Sequence, residues 1–355
     1  MMISEELTTR LKAGMVIPAH PLALKANGDL DPRSLRALTR YYLDAGAGGV
    51  AVAVHTTQFA IRNPEVGLLI PVLELVAQTV DEWQVASGRE ILKVAGICGE
   101  TRQAVDEAGL ASERGYHAGL LNLAALPPES SVGELVSHCR EVAAVIPVFG
   151  FYLQPTIGGR ILPYEFWRSF AEIENVIAIK IAAFNRYQTL DVIRGICDAG
   201  QEERIAFYTG NDDHIVGDLM TPYLIRTDDG VRTVRFVGGL LGHWAVWTRA
   251  AVQLLEQVQR DLCSSDRVCS EWLTRTVEVT DMNAALFDAA NEFRGCLPGV
   301  GSVLHQQGLL TSARCLDPNE ILSPGQADEL ARVRRHYPHL LDDEFVQENL
   351  DRWRR

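Results

Sequence analysis

The chain has 355 residues, 47% hydrophobic and 22% charged, a composition that fits a soluble globular fold and excludes a disordered or membrane-embedded one. Its net charge of −13, with no long Lys/Arg run, argues against a nucleic-acid partner, because phosphate binding needs a concentrated positive surface. Seven cysteines without a CxxC pair give neither a disulfide framework nor a thiolate zinc site, and the nine histidines form no His-x-His set, so a cytoplasmic protein without a metal is expected.

Met1 to Glu6 lacks the basic-then-apolar order of a signal peptide, and no run reaches the roughly 18 apolar residues that a membrane span needs. Short runs rich in Val, Ile, Leu and Phe then recur, each followed by a longer amphipathic stretch, as buried parallel strands with covering helices should read. The first four are Met15–His20, Gly49–His55, Ile91–Ile97 and Gly119–Ala124. Pro147–Tyr152, Val176–Lys180, Arg204–Thr209 and Val234–Gly239 follow. Helical patterns lie between them at Asp31–Ala45, Thr101–Arg114, Ser131–Ala143, Pro163–Ile173 and Tyr187–Cys197, with Asp31 capping a helix that has Pro32 at its first position.

Eight such units predict an α/β fold, a (β/α)8 TIM barrel, over residues 1–250. An open doubly wound sheet is the alternative, but a glycine-rich phosphate turn would then follow the first strand, where this chain has His20-Pro21-Leu22. Residues 251–355 read as a C-terminal helical extension, with helices over Val252–Leu262, Val268–Phe293 and Pro324–His336 and a break at Leu297–Ser302. The terminal Arg352-Trp353-Arg354-Arg355 reads as a solvated helix face.

In a barrel the chemistry gathers at the C-terminal strand ends, so polar residues that close apolar runs are the candidates. Lys180 stands out, because Val176-Ile177-Ala178-Ile179-Lys180-Ile181 is apolar on both sides of it and a buried lysine is rare unless paired or functional. Desolvation favours the neutral amine, which attacks carbonyls. The plainer alternative is a lysine that snorkels to solvent. Tyr152 closes another run, where its phenol can pass protons; the plainer alternative is a packed core aromatic. His55-Thr56-Thr57 follows a third run, and adjacent hydroxyls and N–H groups there suit a carboxylate.

These residues, in this order, resemble the dihydrodipicolinate synthase and N-acetylneuraminate lyase superfamily: Thr-Thr after strand two, Tyr-x-x-Pro after strand five and a lysine in strand six. The resemblance runs from Gly14 to about Ala331. It implies that Lys180 forms the Schiff base, that Tyr152 transfers protons, and that Thr56 and Thr57 bind the carboxylate of a 2-oxo acid and relay protons. Gly210-Asn211-Asp212-Asp213 is similar to the family's Gly-x-Asp, where Asp212 would meet a substrate hydroxyl. Gly238-Gly239-Leu240-Leu241-Gly242 is similar to its glycine turn after strand eight.

The pattern also departs from the family. The usual Gly-Thr-Thr-Gly-Glu is here His55-Thr56-Thr57-Gln58-Phe59, no tyrosine follows strand four, and Ile157 stands where the synthase has an arginine, with Arg160 nearby. His20, His55, Gln58 and Asp212 are then the polar candidates for an altered pocket. The expected activity is a class I aldolase or lyase that makes or breaks a C–C bond in a 2-oxo acid with pyruvate as donor or product, and that is not a true dihydrodipicolinate synthase. It would need no cofactor beyond the lysine imine and would form a homodimer or homotetramer. A dehydratase of 2-oxo-3-deoxy sugar acids and a non-catalytic 2-oxo acid binding protein are the other readings.

Overall fold

The computed structural model describes residues 3–264 and 267–355; Met1 and Met2 of the N-terminal reading lie outside the described residues. The strands are β1 Val16–Pro18, β2 Gly49–Val52, β3 Leu92–Ile97, β4 Ala118–Leu121, β5 Val148–Leu153, β6 Val176–Ala182, β7 Ala206–Thr209, β8 Tyr223–Thr227, β9 Gly230–Val234 and β10 Phe236–Leu241. The helices are α1 Glu5–Ala13, α2 Pro32–Ala45, α3 Leu69–Ser87, α4 Thr101–Glu113, α5 Val132–Ala143, α6 Tyr164–Ala171 and α7 Arg186–Asp198. They continue as α8 Ile215–Met220, α9 Thr248–Ser264, α10 Ser270–Phe287, α11 Cys296–Gln306, α12 Gln326–His336 and α13 Asp343–Trp353.

Eight strands form one sheet in the order β1-β10-β7-β6-β5-β4-β3-β2, and a parallel bridge from Ala19 to Ala51 joins its ends. With helices between the strands this is the expected (β/α)8 barrel followed by C-terminal helices. The helix starts follow local chemistry: Asp31 accepts from the Ser34 N–H ahead of Pro32, Ser131 and Glu134 form a reciprocal capping box, and Asn185 accepts from the Tyr187 and Gln188 N–H groups. Two expectations need correction. The eighth barrel strand is Phe236–Leu241, because Val234 ends an antiparallel hairpin, β8–β9, which is inserted after α8. The supposed break at Leu297–Ser302 lies inside α11, with Pro298 in its first turn, where no N–H bond is lost. A Cβ at Gly299 would stand 2.1 Å from the Leu286 carbonyl oxygen, so that glycine marks close helix approach and not a turn.

By internal packing the chain forms two compact units, Met1–Gly14 with Lys93–Gly239, and Met15–Leu92 with Leu240–Arg355. In the first, Phe149 of β5 meets Tyr208 of β7 edge to face at 5.3 Å, and the Tyr208 hydroxyl donates to the Leu11 carbonyl in α1. On the other face of β5, Gly150 makes room for Phe170 of α6, since a Cβ there would stand 2.8 Å from that ring. In the second unit α2 carries Tyr41 and Tyr42 into the core, and α13 lays Trp353 against Tyr41 at 5.4 Å. Trp353 is buried and its indole N–H donates to Asp44, which corrects the reading of the terminal segment as only a solvated face.

Candidate functional site

In the first unit Lys180 lies near the C-terminal end of β6, paired in register with Phe151 of β5 and Tyr208 of β7. Register partners in a parallel sheet project from the same face, so the amine and the Phe151 ring meet: Nζ stands 4.7 Å from the ring centroid. Lys180 is only 8% exposed. Its stem runs past the backbone of Gly210, just beyond β7, where a Cβ would fall 2.6 Å from the lysine Cε. The lysine therefore occupies a slot with an aromatic ring on one side and a bare Cα on the other.

Tyr152 takes the opposite face. Neighbours along a strand alternate, so once Phe151 faces Lys180 the phenol must turn toward the helix layer. There it stacks on Trp167 of α6 at 5.5 Å, its oxygen accepts from the Leu162 N–H at 3.3 Å, and it is fully buried. Burial raises its pKa above the ordinary tyrosine value, and the Asp191 carboxylate of α7 adds to that. The expectation of a phenol beside the amine is thus corrected by the alternation of β5.

The loops after β6 and β7 are knitted by residues that the sequence reading did not single out. Asp218 of α8 is fully buried and accepts from Arg186, Tyr223, Thr209 and Asn211, while the Asn211 Oδ1 accepts from the Phe184 N–H. Phe184 sits at φ +51, a left-handed conformation that this bond helps to hold. Asp212 is buried, with its N–H directed to the Gly210 carbonyl at 3.0 Å. Only the run of polar residues after strand seven hinted at this network. Gly239 lies within β10 opposite Thr209, not in a turn. Arg160 gives its guanidinium to four carbonyls of the loop after β4, those of Leu123, Leu126, Pro127 and Pro128, at 3.1 to 3.5 Å.

The second unit holds the other candidates. His55, Thr56 and Thr57 form a short 3-10 turn after β2, preceded by Ala53 at φ +60. The Thr56 hydroxyl donates to the Ala19 carbonyl and that of Thr57 to the His20 carbonyl, at 2.8 and 2.7 Å, so both protons are committed to backbone. Half-buried His55 lies 6.0 Å from the Phe59 ring. The Gln58 side chain accepts from the Leu316 N–H at 2.6 Å and tethers the C-terminal segment, a holding task in place of the pocket-lining one expected. His20 is fully buried, with Nδ1 2.9 Å from the Pro21 carbonyl and Nε2 2.9 Å from the Thr39 hydroxyl. Burial pulls its pKa down to about 4, so it is a neutral core histidine at ordinary pH. Leu240 is fully buried in β10. His243, just past that strand, was not foreseen; it too is buried, near Asn283, and is pulled down to about 4.

Among the described residues no group of three or more His, Cys, Asp or Glu is placed to hold a metal ion, and no helix is long and apolar enough to cross a membrane. A model of the dihydrodipicolinate synthetase family matches residues 12–223. No curated protein sequence matches the chain. Among solved structures, a dihydrodipicolinate synthase from Aquifex aeolicus is 19% identical, with a TM-score of 0.71 over 93% of this chain and 99% of that one. CdNal from Clostridium difficile, solved with mannosamine, is 16% identical, with a TM-score of 0.70 over 91% and 99%. A monomeric dihydrodipicolinate synthase variant is 17% identical, with a TM-score of 0.73 over 92% and 98%. At these identities the likeness is one of fold.

Proposed function

Because this chain belongs to the dihydrodipicolinate synthetase family, we propose that it is a class I aldolase or lyase in which Lys180 captures a 2-oxo acid, pyruvate or a longer acid that yields it, as an imine. The observation that carries the reading is the buried Lys180 amine near the end of β6, in the slot between Phe151 and Gly210. The neutral amine adds to the ketone carbon, the nitrogen gives up a proton as the oxygen gains one, and uptake of a second proton from solvent by that oxygen lets water leave and a protonated imine remain. That imine draws in the electron pair of the C3–C4 bond as the C4 hydroxyl gives its proton to solvent, which releases an aldehyde and leaves an enamine. Protonation at C3 and hydrolysis then return pyruvate and the free lysine. The reverse sequence joins a pyruvate enamine to an aldehyde. No cofactor enters the scheme, and Tyr152 holds no place in it because its phenol lies against Trp167.

The family resemblance supports a carboxylate-binding role for Thr56 and Thr57. Both hydroxyl protons are committed to backbone carbonyls and the Thr57 N–H to the Val54 carbonyl, so that role requires these bonds to be exchanged for the carboxylate. Arg160 is bound up with four carbonyls and supplies no cation for a second substrate, which favours an activity other than that of a true dihydrodipicolinate synthase. A cytoplasmic homodimer or homotetramer completes the proposal, and sedimentation velocity tests the assembly. Incubation with a panel of 2-oxo acids followed by borohydride, read by intact mass, tests the chemistry. Pyruvate is expected to add irreversibly to the wild type and not to Lys180→Ala; labelling that survives the substitution would sink the assignment. The same imine serves a dehydratase of 2-oxo-3-deoxy sugar acids, and product analysis on such acids separates the two.

A further inference from the structure

Three observations in the first unit bear on how the reacting amine is held. Lys180 and Phe151 are register partners, so their side chains leave the sheet on one face. Nζ lies 4.7 Å from the Phe151 ring centroid. The neighbouring tyrosine, the only phenol on β5, is turned away and stacks on Trp167. An aromatic face is the negative side of the ring quadrupole and attracts a cation placed over it, but it has no proton to give or take. On the opposite flank Gly210 leaves space that any side chain would fill.

We propose that Phe151, not a tyrosine, is the aromatic positioning residue for Lys180, its ring face holding the positive charge that the nitrogen carries as ammonium and again as protonated imine. This deepens the imine reading of Lys180 and rests on it for the second of those states. Its consequence is that imine formation here runs without a phenol step on β5. The titratable groups on the flanking elements are Tyr208, the β7 register partner, whose hydroxyl is spent on the Leu11 carbonyl, and Asp212 on the turn beyond β7. Neither is altered by a change at Phe151.

The test reads the amine directly. Acetic anhydride labels neutral amines, so the extent of Lys180 acetylation across pH, followed by peptide mass, gives its titration midpoint in the full-length protein. Replacing Phe151 with Leu keeps the site apolar and removes the ring face, so the midpoint is expected to fall by about half to one and a half pH units. Phe151→Trp should restore it. An unmoved midpoint in folded Phe151→Leu overturns the proposal, and Phe151→Met carries the same test should the leucine variant not fold. Tyr152→Phe should keep the wild-type midpoint and be trapped by pyruvate and borohydride at a rate within about threefold of wild type; a fall of tenfold or more with an unchanged melt overturns the claim that no phenol takes part. Absence of any adduct in the wild type would fail the imine reading alone, since the acetylation midpoints still report on Phe151.

Discussion

Two glycines show how differently a single methyl group can act in this molecule. At Gly210 a Cβ would meet the Lys180 side chain, whose far end can swing, at 2.6 Å, and the fixed Ala182 Cβ at 2.9 Å. Gly210→Ala is therefore expected to cost about 1–3 kcal/mol in urea unfolding while pushing the amine out of its slot, lowering the rate of borohydride trapping by about tenfold or more. At Gly159 the obstacle is backbone, the Leu153 carbonyl oxygen at 1.8 Å, which has no such freedom. Gly159→Ala should cost about 4 kcal/mol or more in urea unfolding, or fail to fold. A normal unfolding curve for that variant would show that the turn after β5 is laxer than its contacts indicate. Lys180 was legible in the sequence because a charge inside an apolar strand is costly and conspicuous. The orientation of Tyr152 was not, because β5 is buried on both faces, and Phe149-Gly150-Phe151-Tyr152 gives no polar alternation to say which side chains face inward.

Among the elements, α2, α9, α11 and α13 converge on one carboxylate. Asp342 accepts from the Tyr41 hydroxyl, the Arg249 N–H and the Gln307 amide, and burial outweighs these bonds to push its pKa up to about 6. The sign follows from where the proton sits: the folded chain holds it up to about pH 6, the unfolded chain only up to 3.8. Asp342 therefore contributes most below pH 4, and up to about 3 kcal/mol is lost as pH rises through 6. Buried His20 and His243 slope the other way, because unfolded imidazoles take up protons below 6.5 and these resist until about 4. The comparison that isolates the clasp is wild type against Asp342→Asn: the wild-type advantage in unfolding free energy should grow by about 2 kcal/mol from pH 7 to pH 4. A constant difference would remove Asp342 from the account. Most helices here announced themselves through periodicity and caps. The β8–β9 hairpin was overlooked although Asp228-Asp229-Gly230 sits between two alternating runs, because its second strand flows into β10 with a single residue, Arg235, between them. In α11 glycines that serve packing were taken for punctuation.

For the molecule as a whole, the barrel was readable because eight apolar runs spaced by amphipathic stretches admit few other arrangements, whereas the grouping of residues 15–92 with the C-terminal helices was not, since long-range packing leaves no periodic mark. That grouping predicts that a chain ending at Leu341, which uncovers the Tyr41 surface now protected by Trp353 and Phe345, will melt roughly 10 °C lower in calorimetry. An equal melt would make the last helix an accessory. The four-carbonyl grip of Arg160 bears on motion. The segment after β5 that carries it and the segment after β4 that it holds are fastened as firmly as two leaves of a hinge pinned shut, so neither can swing aside without forfeiting the whole set of bonds. Hydrogen exchange should therefore find the amides of Leu123 to Leu126 and of Ile157 to Leu162 slow and matched in rate.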